Sequence, residues 1–263
     1  MKINYEKTAR EIRKNVLEMK FASQSSHIGS AFSCIDILTV LYFKILNINP
    51  KNPTSENRDR FILSKGHAAS ALYATLARRG FFSENVLKNY CQNGKKLAGH
   101  TTKDSVPGIE TSTGSLGHGL PMGIGLALAG RKKYKVFVLM SDGECDEGSN
   151  WEAALFASHH KLDNLIAIID YNKLQAFGKT NEVLNLEPLK EKFIAFGWGV
   201  KEINGHNHTE IEKALLSCND NKPNIIIANT IKGKGVSFME NKLKWHYKSL
   251  NENEYKKALE ELN

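Results

Sequence analysis

The sequence predicts an α/β fold in which a largely parallel sheet is flanked by helices. The first observation is a pair of short apolar runs, Lys135–Met140 and Leu165–Ile169, which are typical of buried parallel strands. The second is a repeated alternation of such runs with helical segments. The third is length: 263 residues can bury a sizeable core. We therefore expect a single domain over residues 1–263, with an N-terminal helical arm and a C-terminal helix.

The first half of the chain is predicted to be mainly helical. Apolar residues at helical spacing predict an amphipathic helix from Tyr5 to about Phe21, which the segment 25–30 ends. Ser33 is a candidate N-cap for a long apolar helix from Cys34 to about Leu46. The elements expected next are a loop over 47–57, a strand over Arg60–Leu63, a helix through about Arg79, a short helix over 83–91 and a long loop over 92–115.

The second half is predicted to alternate regularly between helices and strands. The expected elements are a helix over Gly117–Gly130, a strand over 135–140, a helix over 148–160, a strand over 165–170, a helix over 188–196 opened by Pro188, a strand over 198–203, a helix over 208–218 and a strand over 224–230. A basic loop, Lys232–Lys248, and a charged helix end the chain. This alternation is what predicts the parallel sheet.

Composition and charge restrict the class of protein. The formal net charge is +8, but the basic residues are dispersed and accompany no nucleic-acid-binding motif, so we expect no nucleic-acid partner. The same charge favours anionic, phosphorylated substrates. No apolar run approaches the about 20 residues that span a bilayer, and the N-terminus lacks the apolar core of a signal peptide. The four cysteines are widely spaced without a Cys-x-x-Cys pair, and we expect a cytoplasmic protein with free thiols and no membrane association.

Polar side chains follow two of the predicted strands at the point where each strand ends. Asp142 follows the first strand, and Asp170 and Asn172 follow the second. The carboxyl ends of neighbouring parallel strands face one crevice, so these groups should converge. A carboxylate and an amide oxygen suit Mg²⁺, which also takes phosphate oxygens from a ligand. Gly143 and Gly148 allow a tight turn close to a diphosphate.

Histidines are concentrated in the loops of this sequence. They are His27, His67, His100, His118 and His246. Loops on a rigid scaffold are where catalytic groups gather, and histidine transfers protons near neutral pH. Any one of these histidines alone is more often a capping or surface residue. His206 and His208 fit loop and helix-surface positions and are not assigned to the site.

Six motifs in order carry a resemblance to the transketolase family. They are Ser-His-Ile-Gly-Ser, Leu-Ser-Lys-Gly-His-Ala, Gly-His-Thr-Thr, Thr-Gly-Ser-Leu-Gly-His-Gly, Ser-Asp-Gly-Glu-Cys-Asp-Glu-Gly and Asp-Tyr-Asn-Lys-Leu-Gln. The last two are similar to the thiamine diphosphate motif, although Ser141 replaces its first glycine. The resemblance runs from about residue 10 to residue 248 and matches only the N-terminal, diphosphate-binding part of a transketolase. The chain resembles the N-terminal subunit of a split transketolase.

The resemblance implies thiamine diphosphate and Mg²⁺ as cofactors and assigns roles to individual residues. It implies Mg²⁺ ligation by Asp142, Asn172 and the main-chain carbonyl of Leu174. It implies cofactor contacts for His67, Gly114, Leu116, Asp142, Gly143, Asn172 and Ile231. It implies that His27, His100 and His246 contact the sugar and move its protons. It also places Glu147 and Glu152 at a dimer interface, although both could be ordinary helix-surface carboxylates.

The resemblance further implies transfer of a two-carbon ketol unit from a ketose phosphate to an aldose phosphate. In that family the glutamate that activates the cofactor belongs to a second, pyrimidine-binding domain. We therefore expect the partner to be a separate C-terminal transketolase subunit, with two copies of each polypeptide. The alternatives are an alpha-type subunit of another thiamine diphosphate enzyme, either a 2-oxoacid dehydrogenase or a pyruvate–sugar synthase, and a non-catalytic regulatory remnant.

Overall fold

The computed structural model describes residues 3–218 and 221–263 and is built around a parallel five-stranded sheet. Its strands are β1 (Arg60–Leu63), β2 (Val136–Ser141), β3 (Leu165–Tyr171), β4 (Gly199–Asn204) and β5 (Asn224–Asn229). They lie in the order β1-β2-β3-β5-β4, and each neighbouring pair is parallel. The predicted α/β fold is confirmed, and the predicted strands agree with the observed ones to within two residues at each end.

Helices cover both faces of this sheet. They are α1 (Tyr5–Ser23), α2 (Ile28–Ser33), α3 (Ile35–Val40), α4 (Ala69–Arg79), α5 (Gly119–Ala129), α6 (Gly148–His159), α7 (Thr180–Val183), α8 (Leu189–Ala195), α9 (His208–Leu216) and α10 (Glu252–Glu261). Short 3₁₀ turns occupy Gly66–Ala68, Glu84–Asn89, Gly143–Asp146 and Leu243–His246. Among the described residues, no helix is both long enough and apolar enough to cross a membrane.

The core is divided into two layers because successive side chains of a strand point to opposite faces. In β2, Phe137 and Leu139 join the layer that contains the buried residues of α1, α3 and α4. Val138 and Met140 join the opposite layer, which contains those of α5 and α6. Burial on both faces explains the unbroken apolar runs that predicted these strands.

The long helix predicted over Cys34–Leu46 is wrong in its boundaries. Helical structure begins earlier, at Ile28, breaks at Cys34, and passes from α3 into a π-helical turn over Leu41–Ile45. Cys34, and not Ser33, occupies the N-cap position of α3. The Ser33 hydroxyl instead donates to the buried carboxylate of Asp170 at 2.5 Å. Because the Ser33 hydroxyl forms this hydrogen bond with the buried Asp170 carboxylate, it does not cap the helix.

The first helix packs closely against the rest of the structure. Its buried face, which includes Ile12, Val16 and Leu17, packs against α3 and α4. It also contacts α10, and Lys14 Nζ lies 2.6 Å from the side-chain oxygen of Asn263. The two ends of the described chain therefore meet on one face of the sheet.

Candidate functional site

A cavity of about 450 Å³ opens at the carboxyl edge of the sheet. Ser141 of β2 lies opposite Asp170 of β3, so the residues that follow both strands face the same crevice, as the sequence predicts. The predicted site residues that line this cavity are His27, His67, His100, Gly114, Leu116, Asp142, Gly143, Asn172, Leu174 and His246. The structure therefore brings together segments that are as much as 219 positions apart in the chain (246 − 27).

Asp142 is a buried carboxylate held by backbone donors. Its Oδ1 accepts a hydrogen bond from the Gly143 N–H at 2.8 Å, and its Oδ2 accepts one from the Lys173 N–H at 2.5 Å. Burial, together with the nearby charge of Asp170, raises the pKa of Asp142 to about 6. A cation beside this carboxylate would offset the cost of burying its charge.

The oxygen atoms beside Asp142 fit a hard divalent cation. The Asn172 side-chain oxygen accepts from the Leu174 N–H at 3.1 Å, and Leu174 lines the same cavity. Within the described residues, no group of three or more His, Cys, Asp or Glu side chains is arranged to hold a metal ion. A metal here would therefore rely on one carboxylate, on amide and carbonyl oxygens, and on oxygens of its ligand, which is a coordination that suits Mg²⁺.

Beneath this edge lies a buried ion pair that the sequence analysis did not identify. Lys65 and Asp170 are both fully buried, and the Lys65 ammonium pairs with the Asp170 carboxylate. Lys65 also donates to the Ser30 carbonyl at 3.0 Å. Although burial alone would raise it, the Lys65 charge holds the pKa of Asp170 below its usual value. The position of Lys65 directly after β1, at the same sheet edge as Asp142, was the signal that could have identified it.

Lys232 is a second buried lysine that the sequence analysis missed. Its side chain is inaccessible to solvent, and its Nζ donates to the carbonyls of Leu174, at 2.9 Å, and Gln175, at 3.3 Å. The same Nζ lies 2.8 Å from His246 Nδ1. Burial lowers the pKa of Lys232 to about 8. This lysine links the predicted metal-binding loop to the histidine side of the cavity.

Four histidine rings from four separate segments form a cluster in the same cavity. The ring centroid of His27 lies 5.3 Å from that of His67, 6.1 Å from that of His100 and 5.0 Å from that of His246. The centroids of His67 and His246 are 5.7 Å apart. His118, the remaining loop histidine, is exposed and does not line the cavity.

These histidines are held in the neutral form. Burial, reinforced by the positive charge of Lys20, lowers the pKa of His27 to about 4. Burial and the charge of Lys232 lower the pKa of His246 to about 3. Burial also lowers the pKa of both His67 and His100. A neutral imidazole has one donor and one acceptor nitrogen, so the cluster can both donate hydrogen bonds to a ligand and accept them from it.

Two glycines allow the backbone to come close to the cavity. A Cβ at Gly143 would lie 2.8 Å from Gln175 Cγ, and one at Gly114 would lie 3.3 Å from His100 Cδ2. Ser141, which replaces a glycine of the motif, is the last residue of β2, and its extended backbone accommodates a side chain.

Ile231 is the predicted site residue that the structure does not place on the cavity wall. It is half-buried, and its N–H donates to His206 Nε2 at 2.8 Å. His206 Nδ1 in turn lies 2.7 Å from the buried carboxylate of Asp36, which also pairs with Arg13 and His208. His206 lies in a loop and His208 begins α9, as predicted, but neither ring lies on the surface, because both contact the buried Asp36 carboxylate. His206 instead holds the backbone next to Lys232.

Comparisons with known proteins identify the same family over nearly the whole chain. Residues 5–263 match the transketolase thiamine diphosphate binding domain. An apulose-4-phosphate transketolase subunit of Phocaeicola vulgatus is 45% identical, and the match covers 95% of this chain and 90% of that protein. The 6-deoxy-6-sulfo-D-fructose transketolase subunit of a Clostridium species is 43% identical, over 99% of this chain and 96% of that protein.

A solved structure extends the comparison to a longer enzyme. The crystal structure of transketolase from Campylobacter jejuni matches with a TM-score of 0.93 and 36% identity. The match covers 100% of this chain but 43% of that one. The matched region therefore covers nearly all of the two proteins named as subunits and less than half of the longer transketolase.

Proposed function

This chain belongs to the transketolase family, and we propose that it is the cofactor-binding subunit of a transketolase built from two kinds of polypeptide. The observation that carries the proposal is the shared cavity in which the Asp142 and Asn172 oxygens meet four neutral histidines. Similarity to two proteins named as transketolase subunits, matched over 90% and 96% of their lengths, supports the two-polypeptide arrangement.

The sheet edge holds the cofactor in this proposal. Asp142, Asn172 and the Leu174 carbonyl bind Mg²⁺, and the ion binds the diphosphate of thiamine diphosphate. Gly143 lets the backbone approach the diphosphate, while His67, Gly114 and Leu116 contact other parts of the cofactor. Ile231 does not line the cavity, so its contact with the cofactor stays a prediction. Lys232 lies where its positive charge assists diphosphate binding.

The histidine cluster binds the sugar and transfers its protons in this proposal. When bound, thiamine diphosphate supplies a carbon nucleophile that accepts the two-carbon unit cut from a ketose. His27, His100 and His246 bind the hydroxyls of the sugar. Because His27 and His246 are neutral, they can take a proton from a hydroxyl as the carbon–carbon bond breaks and return it when the new bond forms.

We assign phosphorylated sugars as the substrate class. The net charge of +8 attracts anions. Lys65 lines the cavity, and Lys232 contacts two of its lining residues, Leu174 and His246. The relatives differ in the sugar for which they are named, which is apulose 4-phosphate for one and 6-deoxy-6-sulfo-D-fructose for another. The outer parts of the sugar therefore distinguish members that share this cofactor-binding fold.

The test is a reconstitution with a second polypeptide that corresponds to the remaining part of a full-length transketolase. The chain, that polypeptide, thiamine diphosphate and Mg²⁺ are mixed with xylulose 5-phosphate and ribose 5-phosphate. We expect ketol transfer from the mixture and none from either polypeptide alone. Size-exclusion chromatography with light scattering should then give the mass of two copies of each polypeptide.

Three outcomes would contradict the proposal. Transfer by this chain alone would remove the need for a partner. Release of carbon dioxide from pyruvate, without ketol transfer, would point to another thiamine diphosphate enzyme. A mixture that binds cofactor but processes no sugar from a panel of phosphorylated and unphosphorylated ketoses would indicate a regulatory protein.

A further inference from the structure

A fifth aromatic ring extends the histidine cluster toward solvent. The centroid of Tyr247 lies 4.7 Å from that of His246 and 5.9 Å from that of His27, and both pairs meet edge to face. Tyr247 also lines the cavity. Within the described part of the chain, no hydrogen bond to its hydroxyl is present, so this group is available to a ligand.

Exposure increases steadily from the bottom of the cavity to its mouth. Asp142 is 1% exposed, His246 is 9% exposed and Tyr247 is 59% exposed. With the cofactor diphosphate at Asp142 and the reacting carbons at the histidines, the remaining carbons of a sugar must extend outward. The ring that lies beside His246 toward the mouth of the cavity is that of Tyr247.

We propose that Tyr247 is a specificity-determining residue that contacts the part of the sugar beyond the two transferred carbons. This inference rests on the proposed function and concerns the same cavity. The ring offers an apolar edge to the C–H groups of the sugar, and its hydroxyl can donate to or accept from a sugar hydroxyl. Its position at the mouth also limits the space available to a bulky or branched chain.

The experiment compares a long and a short substrate pair in the reconstituted enzyme. The long pair is xylulose 5-phosphate and ribose 5-phosphate. The short pair is hydroxypyruvate and glycolaldehyde: the bond between the carboxylate and carbonyl carbons breaks, carbon dioxide leaves, and a proton is taken up. The two-carbon unit then bonds to the aldehyde carbon of glycolaldehyde and forms a four-carbon ketose. Neither short substrate has the outer carbons that Tyr247 would contact.

The measured quantity is the ratio of kcat/KM for the long pair to kcat/KM for the short pair. In Tyr247→Ala we expect this ratio to fall about tenfold, mainly through a higher KM for the sugar phosphates. Tyr247→Phe removes the hydroxyl alone, and its ratio should fall about threefold. Leu243→Ala alters the same short turn outside the cavity wall and should keep the wild-type ratio.

The remaining outcomes overturn the inference. An equal fall for both pairs would mean that Tyr247 positions the histidines or contacts the partner polypeptide. An unchanged ratio would mean that the sugar does not reach the ring. If the wild-type enzyme processed neither pair, both the proposed function and this inference would be contradicted. If the enzyme were active and the variants kept the wild-type ratio, only the inference would be contradicted.

Discussion

The two ends of the cavity are built in different ways. At the deep end, Asp142, Asp170 and Asn172 lie at the carboxyl ends of neighbouring strands and are held by hydrogen bonds and a buried ion pair. At the outer end, the histidines come from separate loops and turns and meet mainly through ring contacts. The first end is positioned by the sheet, and the second is positioned by how distant segments pack.

The two ends of the cavity therefore suit different functions. A rigid sheet edge suits a metal and a diphosphate, which need fixed oxygen ligands. Loop-borne neutral rings suit a substrate that must enter, react and leave. Changes at the deep end should therefore alter cofactor affinity and stability, whereas changes at the outer end should alter turnover.

The largest expected effect is on turnover at the outer end. His27→Gln and His246→Gln should each lower kcat roughly 10²–10⁴-fold because each removes a proton-transfer group. Cofactor affinity, measured by calorimetry, should stay at the wild-type value. His159→Gln, on the exposed part of α6, is the matched control. If cofactor affinity and kcat fell together, the proposal that the two ends of the cavity have separate roles would be contradicted.

The next effect is on stability at the deep end. Lys65→Met leaves the fully buried Asp170 carboxylate without its cation, and we expect a loss of about 3–5 kcal/mol in the free energy of unfolding. Lys179→Met breaks an exposed pair with Glu182 and should cost at most about 1 kcal/mol. Urea unfolding measures both values. Similar small losses in the two variants would show that the buried pair does not hold the sheet edge.

A smaller effect is expected on cofactor affinity. Asp142→Asn keeps the shape of the side chain but removes its charge, so Mg²⁺-dependent binding of thiamine diphosphate should weaken roughly 10–100-fold. Asp163→Asn, an exposed change just before β3 at the opposite edge of the sheet, is the control. Wild-type affinity in Asp142→Asn would place the metal elsewhere.

The last expected effect is on the pH dependence of stability. The folded pKa of His27 is about 4, below the ordinary value of 6.5, so between these values the unfolded chain binds more protons than the folded one. Stability should therefore rise with pH across this window and fall as the solution is acidified from about pH 6.5 to about pH 4. His27→Gln should flatten the slope in urea unfolding at a series of pH values. An unaltered slope would mean that His27 is not held neutral by the fold.

Sequence patterns predicted the deep end better than its surroundings. Asp142 and Asn172 were placed correctly because a strand–helix–strand unit determines which groups meet at a sheet edge. Ser33 was misassigned as a helix cap because its true partner, Asp170, lies 137 positions away. His206 and His208 were set aside for the same reason, since Asp36 is distant in the chain.

The sequence by itself determined the parallel sheet and the acidic and amide groups at its edge. It also showed that the histidine-bearing motifs follow the pattern of one family. Tertiary structure alone decided that Lys65 and Lys232 are buried, that Ile231 is held by His206, and that Tyr247 completes the ring cluster. The reason is physical. Periodicity and strand ends follow from local backbone geometry, whereas burial, charge pairing and ring contacts depend on segments that only folding brings together.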